Sequence, residues 1–105
     1  MRIKVNLVFN NRFNNKSKGE LQSEAHYKVG RIISILSKDG KIKISQPIFR
    51  YFFWNKDDYS KGDFDKSFDG YRVSFIITKY GRSKYSERDI YAIVNRIHIS
   101  YFSKI

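Results

Sequence analysis

The residues whose types and spacing could do chemistry cluster around one short stretch. Phe49-Arg50-Tyr51-Phe52-Phe53-Trp54 sets five aromatic rings in six positions, with an arginine inside the run. Arg72 follows in a second alternating segment, and Lys79, Arg82 and Lys84 come in the basic turn after it. Rings exposed on a sheet stack on unpaired bases, at about 1–3 kcal/mol each, while lysine and arginine follow the phosphates. Arg50, Tyr51, Trp54 and Arg72 are therefore candidates for a sheet face that holds nucleic acid, with Lys79, Arg82 and Lys84 for phosphate contact. Tryptophan, tyrosine and arginine also dominate protein interfaces, so the same ribbon fits a protein-binding module or a homodimer contact. Core packing is the third account of the rings.

A second cationic group opens the chain. Arg2, Lys4, Arg12, Lys16 and Lys18 precede the first acid, Glu20. Five cations could contact several phosphates, which would make affinity fall steeply with salt. Lys28 and Arg31 add charge further on, but Glu24 stands four residues before Lys28 and can pair with it.

The acids have their own cluster. Asp57, Asp58, Asp63, Asp65 and Asp69 are half of the ten acids, and with three lysines they give residues 56–69 a charge of −2, leaving +13 on the rest of a +11 chain. A metal reading would use Asp63, Asp65 and Asp69. Their spacing is not that of a calcium loop, D-x-[DN]-x-[DN]-G with glutamate at position twelve. A solvated loop, a mimic of a nucleic-acid backbone, or a cover for the chain's own basic face are the other accounts. No cofactor is expected.

For catalysis there are two histidines, His26 and His98. A small metal-independent ribonuclease could use Arg96, His98 and Tyr101 for proton transfer and for stabilising a phosphorane. Residues two and five apart do not share one helix face neatly, and no phosphate-loop, dinucleotide, nucleophile-elbow or zinc-protease motif is present. The RNA-recognition signature also fails, since in "DGYRVSF" Gly70-Tyr71 is followed by Arg72. No helix-turn-helix or zinc module is visible, which disfavours major-groove readout.

The whole chain sets the bounds on these sites. At 105 residues, one α+β domain spanning 1–105 is expected. A net charge of +11 points to a polyanionic partner. With no cysteine there is no disulfide framework or thiolate site, which fits a reducing, cytoplasmic setting. "MRIKVNLVFNN" lacks the apolar core of a signal peptide, and no run approaches the roughly 18 apolar residues of a membrane span.

The elements that must carry these residues follow from periodicity. Ile3, Val5, Leu7 and Phe9 alternate with polar residues, which predicts a strand buried on one face. Ser17 with Glu20 forms a capping box for a helix along Leu21, Ala25, Val29, Ile32, Ile33 and Leu36. Gly30 would let that helix lie close to the sheet, and Gly40 is expected in a left-handed position at its end. Ile42, Ile44 and Ile48 begin a second strand, where Pro47 demands an edge or a bulge. A bulge would decide whether Phe49, Tyr51 and Phe53 point inward, or Phe52 and Trp54. Tyr71, Val73, Phe75 and Ile77 form a third strand, pairing with the second as a long-looped hairpin. Ser86 and Asp89 cap a last helix with Ile90, Ile93, Val94, Ile97 and Tyr101 on its buried face, unless residues 98–105 form a fourth strand. The order β-α-β-β-α(-β) predicts a small antiparallel sheet with two helices on one face, ferredoxin-like if the last strand forms. The expected function is nucleic-acid binding, single strands favoured, through an aromatic and basic sheet face.

Overall fold

Alternation makes the first element a strand with one buried face. In the computed structural model, which describes residues 1–58 and 66–105, β1 (Arg2–Asn10) buries Ile3, Val5, Leu7 and Phe9. Helix α1 (Lys18–Leu36) starts on the expected capping box: Glu20 N–H donates to Ser17 Oγ at 3.2 Å, and Ser17 N–H to Glu20 Oε1 at 3.3 Å. Leu21, Ala25, Val29, Ile32 and Leu36 form its buried stripe. Gly30 is on the solvent side, where an added Cβ would meet nothing within 4 Å, so it does not set the distance to the sheet. Gly40 is not left-handed either; among the described residues the positive φ, 64°, belongs to Gly81, two residues after Lys79. Asp39 holds the helix exit instead, accepting hydrogen bonds from Lys41 N at 2.9 Å and Lys84 N at 2.7 Å.

The next two strands, β2 (Ile42–Ile44) and β3 (Ile48–Trp54), pair along the same edge of the long β4 (Phe68–Lys79). Ile44 lies opposite Ile77 and Ile48 opposite Ser74, so four steps on one side match three on the other. That is a one-residue bulge at Ser45–Pro47, on an edge strand, where proline's missing N–H costs no ladder bond. Ser45 secures it: its N–H donates to Ile76 O at 2.9 Å and its Oγ accepts from Ile76 N at 2.8 Å. The bulge reverses the faces. Ile42 and Ile44 face the helices before it; Phe49, Tyr51 and Phe53 do so after it, and Ile48, Arg50, Phe52 and Trp54 face away.

Helix α2 (Glu87–Ile97) also begins on a capping box, Ser86 with Asp89, and buries Ile90 and Val94. The tail forms a strand, β5 (Ser100–Lys104), antiparallel to the free edge of β1. Tyr101 is therefore not on the buried face of a helix: it lies opposite Asn6 and faces away from the helices, while Phe102 faces them and packs on Tyr91 with ring centres 4.6 Å apart. The antiparallel order is β2/β3–β4–β1–β5, an α+β fold with both helices on one face of the sheet. With β2 and β3 counted as one broken strand, the connectivity is the split βαβ arrangement. No helix among the described residues is long and apolar enough to cross a membrane.

Candidate nucleic-acid interface

Because side chains alternate, the register defines the helix-free face residue by residue. At one end Lys43 and Arg2 flank Thr78; the next row carries Lys4 beside Ile76. Ile48, Ser74, Asn6 and Tyr101 follow, then Arg50, Arg72 and Val8, then Phe52, Gly70 and Asn10, with Trp54 and Phe68 at the far end. The strand positions on this face hold five cations (Arg2, Lys4, Lys43, Arg50 and Arg72) and no carboxylate. All five are exposed, and among the described residues none forms an ion pair. Arg50 and Arg72 face each other directly across β3 and β4. Like charges in that position are destabilising unless an anion lies between them.

Among the described residues, the acids that form ion pairs lie on the helix side. Glu24 pairs with Lys16 and, at 3.0 Å, with Lys28; Glu87 pairs with Lys104 at 3.2 Å. Burial is the largest single influence on Glu24 and raises its pKa, but the hydrogen bonds and charges of Lys16 and Lys28 outweigh it and hold the carboxyl below its ordinary value. Asp69 points to the helix side, where Asn11 donates to one oxygen and Tyr51 Oη to the other at 2.5 Å. That bond to Asp69 is the main reason the Tyr51 phenol is pushed up.

Of the residues expected at the sheet face, Arg50, Trp54 and Arg72 share the helix-free side with Arg2 and Lys4. Tyr51 does not. The parity set by the bulge turns it toward α1, where Lys18 Nζ lies 4.0 Å from its ring centre. Lys79 also faces the helices, opposite Ile42, and stands seven residues along β4 from Arg72, roughly 23 Å at strand rise. Arg82 and Lys84 lie beyond it in the turn, so these three form no single patch with Arg50. Arg12 projects from the loop after β1 onto the Phe13 ring, 4.6 Å from its centre. Lys16 is taken by Glu24 on the helix side. Lys43, Phe13, Phe52 and Phe68 were not among the expected contacts; the alternation Ile42-Lys43-Ile44 was the signal for the first.

The residues proposed for catalysis are not brought together. Tyr101 is on the helix-free face, whereas His98 and Arg96 lie on the helix side. Both ring nitrogens of His98 are committed: Nε2 donates to the Val8 carbonyl at 2.8 Å, which leaves Nδ1 to accept from Lys28 Nζ at 3.2 Å. The ring stacks on Phe9 at 4.1 Å. Burial, and then the Lys28 charge, hold its pKa below the usual value, against the opposing pull of the Val8 carbonyl. The His98 side chain thus ties β1 to α1. His26 likewise stacks on Phe49, ring centres 4.0 Å apart. Asp63 and Asp65 lie outside the described residues, and among the described residues no group of three His, Cys, Asp or Glu could hold a metal ion.

Compared with known protein families, curated proteins and solved structures, the chain matches none.

Proposed function

We propose that this chain binds nucleic acid along the helix-free face of its sheet, by backbone charge and by contact with unpaired bases. The observation that carries the reading is the composition of that face: five cations, no carboxylate in any strand position, and Arg50 set directly against Arg72. Among the described residues, Glu24 and Glu87 make their ion pairs with Lys16, Lys28 and Lys104 on the opposite side. Residues on one face of a strand recur about every 6.6 Å, close to the spacing of successive phosphates in an extended strand. A single strand laid along β4 would run from Lys43 and Arg2, past Arg50 and Arg72, to the rings of Phe52 and Trp54. The test is fluorescence anisotropy of labelled single-stranded and duplex RNA and DNA. Single strands should bind more tightly, and Arg50→Glu with Arg72→Glu should cost at least about tenfold. Unchanged affinity in that double variant rejects the sheet face as the site.

A second reading rests on the apolar residues of the same face. Val8, Ile76 and the 52% exposed Ile48 favour a protein partner with acidic and apolar surface. An interface anchored on them would hold between about 50 and 200 mM salt, where phosphate-driven binding weakens steeply.

A further inference from the structure

At the far end of the basic face the structure forms a cleft of about 370 Å³, bounded by Phe13, Phe52, Trp54, Asn10, Arg12 and Arg72. We propose that this cleft receives one unpaired nucleobase; the inference rests on the nucleic-acid reading of the face and deepens it. Three observations converge on that occupant. The cleft continues the cation rows, since Phe52 follows Arg50 and Gly70 follows Arg72 by one row. Its size falls at the small-ligand end of the usual range of roughly 300–1,000 Å³. Its walls are flat π surfaces backed by guanidinium groups: Arg12 lies 4.6 Å from the Phe13 ring centre and Arg72 lies 5.0 Å from that of Phe52. Bases stack on both kinds of plane.

The polar groups on the wall narrow the choice further. Asn10 Oδ1 already accepts from Arg12 N at 3.0 Å, and its amide N–H groups have no partner among the described residues. With Arg72, the wall therefore offers donors. A nucleobase edge with carbonyl or ring-nitrogen acceptors complements it, and an apolar side chain does not. Phe13, 81% exposed at the mouth, is placed to close over a bound ring.

Trp54 is the one tryptophan of the chain, so its emission reports on this cleft alone. The experiment compares a labelled single-stranded oligonucleotide of about a dozen nucleotides with heparin, a polyanion that carries no bases. Bound oligonucleotide should quench Trp54 and bound heparin should not. Phe13→Ala should lower the ratio of oligonucleotide to heparin affinity by about 5- to 150-fold. Salt-sensitive oligonucleotide binding with either readout at the heparin level overturns the base cleft and leaves the charged face standing. No salt-sensitive binding of either polyanion overturns both.

Discussion

Arg50→Glu should make the fold more stable while it weakens polyanion binding. Arg50 and Arg72 are direct cross-strand partners on one face, with no carboxylate in that row. A cross-strand charge pair contributes about 0.2–1 kcal/mol, favourable or unfavourable by sign. Both arginines are exposed, which keeps each contribution toward the lower half of that range. Reversing one charge removes the repulsion and adds an attraction, a swing of about 0.4–1.2 kcal/mol. For a domain of this size that raises Tm by roughly 2–10 °C. The assay is thermal unfolding followed by circular dichroism, at low salt and again near about 1 M, where a Debye length of about 3 Å should remove most of the gain. Arg50→Gln, which only removes the repulsion, should give a smaller rise. An Arg50→Glu variant that melts at or below the parent temperature at low salt would show that the two guanidinium groups do not confront one another. The argument for an anion between them would then fail.

Stability should also depend on pH through His98. Its folded pKa is lowered, so near pH 6.5 the unfolded chain takes up a proton that the folded chain refuses. The contribution is fully present above the unfolded value and is lost as pH falls through the folded one. Tm should therefore be lower at pH 5 than at pH 7.5, and His98→Gln should flatten that difference; an equal fall in the variant assigns it to other groups. Gly70→Ala should be strongly destabilising, because a Cβ there would collide with the Phe9 carbonyl oxygen and come within 2.9 Å of Phe52 Cε1. A loss of about 1–3 kcal/mol or more is expected in denaturant unfolding, and parental stability would mean that β1 and β4 separate at no cost.

Local signals in the sequence carried well into the structure. The alternation of Ile3, Val5, Leu7 and Phe9 and the two capping boxes depend on residues a few positions apart, so they can be read without the rest of the fold. Pro47 marked the place of the bulge, but its one-residue count is visible only against β4, and that count decides that Arg50 and Trp54, not Tyr51, face away from the helices. Ile97 to Phe102 tolerate either period; the free edge of β1 makes the tail a strand and moves Tyr101 to the other face. Residue types at the candidate site were legible and their grouping was not. Arg2, Lys4, Lys43, Arg50 and Arg72 share one face because β1 and β2/β3 flank β4, a tertiary fact with no local signature. The same holds for Gly40 and Gly81, where Asp39 supplied the helix exit by hydrogen bonds from neighbouring Lys41 and from distant Lys84.

The most direct test of the central claim is the salt dependence of single-strand binding. Five cations contacting five phosphates give a slope of log K against log[salt] near about −3.5, at roughly 0.7 per contact. The account predicts that value for the parent chain and a slope near about −2 for Arg50→Gln with Arg72→Gln. A slope close to zero, or one that the double substitution leaves unchanged, would contradict it.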